Sequence, residues 1–342
     1  MNTRALDTPH AAAGKPRRQA RARMSDSAWW PWVRRALTLA FFAVVVTLLW
    51  RYARNVDWDD VWSSVKQTPR PALLAAIALA MASHLLYSCF DLLGRRYTGH
   101  GLPTLLVMTM NFISYAFNLT LGSLVGGVAF RYRLYSQAGL AKGVITRIVS
   151  MSMLTNWLGY MLLAGLLFLF HPMTLPPSWQ MGNHGLQWIG MLLVAIAATY
   201  VGACLRWGGR SRVLRGHEID LPQFRMALLQ MAMSCLNWML MAGIIHVLLQ
   251  QKVVYTDVLT VLLVAAIAGV VAHVPAGLGV FEFVFVALLS HKASEGQLLA
   301  ALLGYRALYY IVPTLVAAAL YLAFELKAKH GSLPTGAPKA AG

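Results

Sequence analysis

The chain has 342 residues, of which 58% are apolar and only 12% are charged. A soluble domain carries roughly a quarter of charged residues, so this composition excludes a soluble globular protein and indicates an integral membrane protein. The formal net charge of +17 would suit a nucleic-acid-binding protein. The lysines and arginines, however, lie just outside apolar segments, where they set membrane orientation, so nucleic acid is not expected as a partner.

Eight apolar segments follow one another along the chain and predict an all-α polytopic membrane protein. The residues before them are basic and predict a disordered cytoplasmic N-terminus over 1–32, followed by a transmembrane domain over 33–326 and a short cytoplasmic tail over 327–342. The segments cover about residues 33–50, 72–93, 104–125, 147–170, 186–205, 226–249, 258–290 and 297–324.

The distribution of basic residues between these segments predicts that both termini are cytoplasmic. Basic residues follow segment 72–93 and also precede segment 147–170, so segment 104–125 must return to the cytoplasmic side. By the same rule, segment 258–290 must return to the outer side. Each is therefore predicted to form a re-entrant hairpin or a pair of short spans, which leaves about six helices that cross the membrane fully.

Both predicted hairpins contain the residues that a helix break needs. The first carries Gly126 and Gly127 in "NLTLGSLVGG", and the second carries Pro275, Gly277 and Gly279 in "HVPAGLG". Interrupted backbone at membrane depth is tolerated only where protein or a wet cavity covers it. Paired broken segments in the two halves of a chain are typical of a transporter's binding site.

Charged side chains inside apolar segments are candidates for function, because an ionised acid at the bilayer centre costs roughly 2.5–3.5 kcal/mol. Asp91 and Glu282 are such acids, and each is a candidate for a headgroup or proton site. Each also has a structural alternative. Glu282 suits the first turn of a helix that begins after the break, and Asp91 lies close enough in sequence to Arg95 for a local ion pair.

Arginines near the breaks predict contacts with lipid phosphate. Arg131 and Arg133 follow a glycine turn, where guanidinium groups and exposed backbone N–H groups suit phosphate, although an interfacial anchor is the alternative. Arg147 is a further phosphate candidate. Arg306 lies deep in the last apolar segment and predicts either a buried pair with Glu282 or a phosphate contact. Asparagines within helices predict interhelical hydrogen bonds, namely Asn118, Asn156 and Asn237.

The sequence contains no G-x-S-x-G, H-E-x-x-H or Walker motif. Its three cysteines lie in apolar segments without the spacing of a metal site or a disulfide framework. We therefore expect a protein that is not an enzyme and that needs neither a metal nor another cofactor.

Several segments taken together resemble the lysylphosphatidylglycerol synthetase transmembrane-region family, also called flippase-like, and in particular its YbhN-like bacterial inner-membrane members. The resemblance extends from about residue 32 to residue 329. Its segments are "NVDWDDVW" (55–62), "CFDLLGRRYTGH" (89–100), "SYAFNLTLGSLVGGVAFRYRLYSQAGL" (114–140), "TNWLGY" (155–160), "HVPAGLGVFEFVF" (273–285) and "YRALYY" (305–310). The family's membrane motifs fall on Asn118, Arg131, Arg147, Pro275, Gly277, Gly279, Glu282 and Arg306.

This resemblance implies a multi-pass protein of the bacterial inner membrane that moves a phospholipid or a lipid-linked intermediate between leaflets. In a related resistance factor, a separate soluble domain makes the lipid that is moved. The tail here ends at Gly342, so lipid synthesis by this chain is not expected. Two alternatives stay open: an accessory or scaffold subunit for a phospholipid-synthesis enzyme, and an intramembrane lipid-modifying enzyme.

Overall fold

The computed structural model describes residues 58–171, 183–209, 211–214, 217–272, 274 and 277–329. All of them belong to the unit Tyr52–Gly342. The basic N-terminus, the first apolar segment (33–50), Pro275 and most of the predicted tail lie outside the described residues. Each of the other seven apolar segments corresponds to one helix or to a pair of helices.

Helices make up nearly all of the described chain. Seven helical stretches within it are long and apolar enough to cross a membrane, which confirms the predicted class of an all-α polytopic membrane protein. The helices are α1 (Trp58–Lys66), α2 (Arg70–Ser88), α3 (Phe90–Thr98), α4 (Thr104–Leu121), α5 (Phe130–Gln137), α6 (Lys142–Phe170), α7 (Asn183–Trp207), α8 (Phe224–Leu248), α9 (Tyr255–Ala272), α10 (Val280–Leu289), α11 (Glu295–Arg306) and α12 (Val312–Lys329).

Three short elements interrupt this helical pattern. A π-helix covers Ser123–Ala129 between α4 and α5, and a second π-helix covers Ala307–Ile311 between α11 and α12. The loop after α7 contains a small antiparallel hairpin, β1 (Ser211–Leu214) and β2 (His217–Asp220). The hairpin lies in the polar loop between apolar segments 186–205 and 226–249, so it does not alter the fold class. The predicted orientation and the number of full crossings stay predictions.

Prolines and glycines set several of the helix boundaries. Pro69 and Pro103 precede α2 and α4, where the missing N–H of proline would be unsatisfied in any case. α3 ends at Gly99 and α4 ends at Gly122, whose φ values of 70° and 87° stop a right-handed helix. The first break therefore begins at Gly122.

After Gly122 the backbone folds back against α4. A Cβ atom on Gly126 would lie 2.0 Å from the backbone nitrogen of Asn118 and 2.1 Å from the carbonyl carbon of Phe117. Backbone therefore packs directly on backbone, which only glycine allows. The helix is interrupted at Gly122, and α4 with the π-helix forms a tight reversal. Gly126 and Gly127, which the sequence predicted at the break, lie within the π-helix.

A second reversal joins α9 to α10. Gly277 and Gly279 have φ values of 60° and 77°, and a Cβ atom on Gly269 would lie 3.6 Å from the Cα of Gly277. With a rise of about 1.5 Å per residue, α10 is roughly 15 Å long and cannot span a hydrocarbon core of about 30 Å. The second predicted hairpin is thus one long helix followed by one short helix.

Buried apolar side chains form two main clusters. One cluster is centred on α8, α9, α10 and α11, and it includes side chains of the second reversal such as Phe281 and Phe285. The other is centred on α4, α5 and α6, and it includes Met110 and Tyr135 beside the first reversal. Each cluster therefore packs against one side of a break. Gly126 and Gly127 of the first break are buried, whereas Leu124 of the first break and Leu278 of the second are exposed.

Candidate functional site

The first reversal contains a fully buried ion pair between Asp91 of α3 and Arg131 of α5. The Nε of Arg131 donates to Oδ2 of Asp91 at 3.0 Å, and its Nη2 donates to Oδ1 at 3.3 Å. Asp91 is 0% exposed and Arg131 is 2% exposed. Arg95 instead donates to Thr104, so the local Asp91–Arg95 pair considered from sequence is wrong. Arg131 can reach Asp91 because the reversal returns α5 to α3.

Further protein groups surround this pair. Nη1 of Arg131 donates to the Gly127 carbonyl at 2.8 Å, and Nη2 also donates to Asn111 and to Ser152. The hydroxyl of Tyr135 donates to Asp91 at 2.9 Å. All three guanidinium nitrogens of Arg131 are engaged by protein acceptors, so the arginine fastens the first break rather than presenting donors to an outside group. Its predicted role as a phosphate ligand stays a prediction.

The second reversal contains a pair between Glu282 of α10 and Arg306 at the end of α11. Arg306 donates through Nε to Oε1 of Glu282 and through Nη2 to Oε2 at 3.1 Å. Oε2 also accepts the backbone N–H of Gly279 at 2.9 Å. Glu282 therefore caps the start of α10 and binds Arg306 at the same time. The sequence had offered the helix-start role and the pair with Arg306 as separate possibilities.

This second pair is more open than the first. The side chains of Arg306 and Glu282 are 11% and 13% exposed. The Cζ of Arg306 lies 5.8 Å from the ring centre of Phe281 and 5.5 Å from that of Tyr310. Its Nη2 also faces the Gly277 carbonyl at 3.4 Å. One cation, one anion, a backbone carbonyl and two aromatic faces thus meet at the second break.

A column of polar and aromatic side chains runs between the two pairs. At the first pair, Asn111 donates to the carbonyl of Tyr87 at 2.7 Å, and the Tyr87 ring stacks on Tyr115 with centroids 3.4 Å apart. The hydroxyls of Tyr115 and Tyr309 are hydrogen-bonded at 2.8 Å. Tyr309 stacks on Tyr305, which stacks on Phe281 beside Arg306.

A branch of this column crosses from α2 to α8. Ser83 is hydrogen-bonded to the hydroxyl of Tyr309 at 2.7 Å and donates to Oδ1 of Asn237 at 2.8 Å. Sequence analysis singled out Asn237 but missed Ser83, Tyr115 and Tyr309. The i, i+4 spacing of Tyr305 and Tyr309 was a signal that could have placed these two rings on one face of the helix.

Four other predicted residues are not part of this column. Arg133 pairs with Glu325 at 2.8 Å and its side chain is 58% exposed, and Arg147 is exposed on α6. The carbonyl of Asn156 accepts from Ser234 of α8. The side-chain oxygen of Asn118 lies beside Gly127, where a Cβ atom would meet it at 3.1 Å. Over the described residues no group of three or more histidine, cysteine, aspartate or glutamate side chains could hold a metal ion.

The fold and the site define a polytopic helical membrane protein with two broken segments, each fastened by an arginine–carboxylate pair. A family model described as "Lysylphosphatidylglycerol synthase TM region" matches residues 36–317. The chain belongs to this family, as its motifs predicted.

Individual relatives support the same assignment. "Inner membrane protein YbhN" of Escherichia coli is 48% identical over 88% of this chain and 95% of the relative. "Uncharacterized protein slr0712" of Synechocystis is 29% identical over 85% of this chain and 91% of the relative. "Phosphatidylglycerol lysyltransferase" of Staphylococcus haemolyticus is 23% identical over 81% of this chain but only 32% of the relative. The chain is a multi-pass protein of the inner membrane.

Proposed function

We propose that the protein moves a phospholipid or a lipid-linked intermediate between the leaflets of the inner membrane, and that the Glu282–Arg306 pair receives the headgroup. The observation that carries this proposal is a partly exposed ion pair at a helix break inside an apolar bundle. A charge at membrane depth is costly, so its presence at a broken helix favours a role in handling polar groups.

The balance of charge at this pair favours a headgroup with both a phosphate and an ammonium group. Arg306 and Glu282 neutralise each other, so a ligand that displaced only one of them would leave the other charge unpaired in a dry setting. A zwitterionic headgroup avoids this outcome, because its phosphate binds Arg306 while its ammonium binds Glu282.

The aromatic rings support the same ligand class. Phe281 and Tyr310 now face the guanidinium of Arg306, and aromatic faces attract any cation that takes its place. The lysyltransferase relatives are named for a reaction on phosphatidylglycerol, which supports a phospholipid as the class of ligand. Acyl chains would stay in the surrounding lipid, where many apolar side chains of the bundle are exposed.

The test is lipid movement in proteoliposomes of purified protein. Phosphatidylethanolamine, phosphatidylcholine and phosphatidylglycerol would each carry a fluorophore on an acyl chain, so that a membrane-impermeant quencher reports the leaflet. We expect wild type to move phosphatidylethanolamine. Glu282→Gln should slow this movement roughly tenfold or more, since a hydrogen bond to a charged group contributes about 1.5–3 kcal/mol.

Asp257→Asn provides a matched control. Asp257 pairs with Lys292 at the opposite end of the same helical hairpin, and the two side chains are 25% and 37% exposed. This variant should move lipid at the wild-type rate. Equal rates for wild type and Glu282→Gln would rule out the headgroup site. No movement of any lipid by wild type would rule out translocation and favour an accessory role beside a phospholipid-synthesis enzyme.

A further inference from the structure

The column contains a buried histidine that the headgroup site does not use. His84 of α2 is 5% exposed, and its ring packs against Phe112, Tyr115 and Tyr309 with centroid distances of 5.7, 5.3 and 4.6 Å. Its Nε2 lies 3.1 Å from the carbonyl oxygen of Tyr309. Its Nδ1 is buried without a hydrogen-bond partner among the described residues.

The carbonyl of Tyr309 fixes the tautomer of this histidine. A carbonyl oxygen only accepts hydrogen bonds, so Nε2 must carry the hydrogen and donate it. The neutral ring then leaves a bare lone pair on Nδ1. A buried lone pair without a donor is costly and marks a position where a proton or a water molecule would be stabilised.

The hydrogen bond from His84 to the carbonyl of Tyr309 links the histidine to the Glu282–Arg306 pair through one short piece of backbone. Tyr309 lies within the π-helix Ala307–Ile311, which begins directly after Arg306. Single-turn π-helices rearrange the backbone hydrogen bonds of a helix and are frequent at functional sites. A change at the carbonyl of Tyr309 therefore acts on the segment that orients Arg306.

The hydroxyl groups beside His84 form a chain with a single direction. Ser83 gives its only hydrogen to Oδ1 of Asn237, so it must accept from Tyr309. Tyr309 has then used its own hydrogen, so it must accept from Tyr115. The chain ends at the neutral amide of Asn237, so none of its hydroxyls has a hydrogen left to donate to Nδ1 of His84.

We propose that His84 is a proton-binding site that controls the opening of the Glu282–Arg306 pair. The lipid-movement part of this inference rests on the proposed function, whereas its conformational part does not. Protonation adds a hydrogen to Nδ1, which has no acceptor in the state described. Proton uptake therefore favours a second state in which the π-helix moves and Nδ1 meets water or another acceptor.

Among the described residues, those that pack against His84 carry no charge that would hold the proton in the closed state. Tyr115 faces it from α4 and Tyr309 faces it from the π-helix, while α8 contributes the neutral Asn237 through Ser83. The acid closest to His84 in sequence is Asp91 of α3, which is already engaged by Arg131. The closed state consequently suits neutral His84, and acid should shift the population toward the open state.

The first experiment measures opening without lipid movement. Ser88 lies one turn after His84, is 4% exposed and donates to its carbonyl. Ser88→Cys is made after the three native cysteines are replaced by alanine, and its rate of reaction with a water-soluble thiol reagent is followed from about pH 8 to about pH 5.5, the range over which histidine titrates. Thiol reactivity itself depends on pH, so each rate is divided by that of the same cysteine in His84→Gln protein.

We expect this ratio to rise several-fold as the pH is lowered, because only protein with His84 can take up the proton. A ratio that stays constant over the whole range would overturn the proposal. His84→Asn serves as a second non-titrating variant, so that a failure of His84→Gln to insert leaves the test intact.

The second experiment compares the pH dependence of lipid movement in wild type, His84→Gln and His246→Gln. His246 is a matched control, because its Nδ1 also lies 3.0 Å from a carbonyl, that of Val253, at the far end of α8. Wild type and His246→Gln should move lipid faster as the pH is lowered, whereas His84→Gln should lose this dependence.

The outcomes separate this inference from the proposed function. If wild type moves lipid and His84→Gln keeps the full pH dependence, the proton site is overturned and translocation stands. If wild type moves no lipid at any pH, translocation fails, and the cysteine ratio alone decides whether His84 binds a proton that opens the bundle.

Discussion

The two breaks of the bundle are fastened by the same chemistry in different surroundings. At each break an arginine binds a carboxylate and also faces a carbonyl of the broken segment, that of Gly127 or Gly277. The side chains of Arg131 and Asp91 are only 3% and 0% exposed, whereas those of Arg306 and Glu282 are 11% and 13% exposed.

This difference in exposure indicates that the first ion pair has a structural role, whereas the second can exchange a protein partner for a ligand. Asn111, Ser152 and Tyr135 complete the hydrogen bonding of the first pair, so any ligand would have to displace several protein groups at once. The second pair reaches the surface of the bundle and lies among aromatic rings. A headgroup can approach it without dismantling a buried network, and this is why the proposed site lies at the second break.

The largest effect is expected from separating the first pair. Asp91→Asn leaves Arg131 charged and buried, and removing one partner of such a pair costs about 3–5 kcal/mol. The double variant Asp91→Leu with Arg131→Met should recover most of this loss, because it buries no charge. Reversible unfolding in mixed micelles of a mild detergent and sodium dodecyl sulfate would measure each free energy.

Glu282→Gln supplies the internal comparison for that experiment. Its pair is partly exposed, so the free energy of unfolding should fall by less than it does for Asp91→Asn. If Glu282→Gln proves the more destabilising of the two, the second pair holds the fold and the assignment of roles to the two breaks must be reversed.

A smaller but clear contrast is expected from adding one methyl group at each break. In Gly126→Ala the new Cβ would lie 2.0 Å from the backbone nitrogen of Asn118, and backbone cannot yield as a side chain can. Overpacking of this kind costs about 1–3 kcal/mol and occasionally more. In Gly269→Ala the nearest atom is the Cα of Gly277 at 3.6 Å, an ordinary contact.

Gly269→Ala should therefore be neutral or more stable by up to about 1 kcal/mol, since alanine is the better helix former. The midpoints of thermal unfolding of the two variants in detergent would show the contrast. Equal midpoints would mean that the first reversal is not packed backbone against backbone, and the distinction between a tight break and a looser one would be lost.

Sequence reasoning placed the long apolar helices and the two interrupted segments, because apolar length and glycine position are local signals. It did not place α1 and α5, which lie outside the eight apolar segments. It also anticipated the pair of Glu282 with Arg306, since both are charges that apolar segments do not tolerate alone. It missed the partner of Asp91, which lies 40 positions away in Arg131, because Arg95 is much closer along the chain. Only the reversal at Gly122 brings the distant arginine to the acid.

The tyrosine column was hidden for a related reason. In a membrane helix, Ser83, Tyr115 and Tyr309 resemble ordinary packing residues, because serine and tyrosine are compatible with an apolar pattern. Their hydrogen bonds join α2, α4, α8 and the second π-helix, so they depend on how four elements meet. Periodicity within one segment carries no information about such a meeting point.

The smallest effect on stability is expected at Arg133, which the sequence had placed with Arg131 as a phosphate contact. Arg133 pairs with Glu325 while its own side chain is 58% exposed, and an exposed pair contributes little to stability. Arg133→Gln should therefore unfold almost as wild type does and should move lipid at the wild-type rate, with Glu325→Gln as the control for loss of the pair. If Arg133→Gln alone slows lipid movement while Glu325→Gln does not, phosphate is bound at the first break as well. Such a result would add a phosphate contact next to the buried Asp91–Arg131 pair. One headgroup would then contact the two breaks in turn.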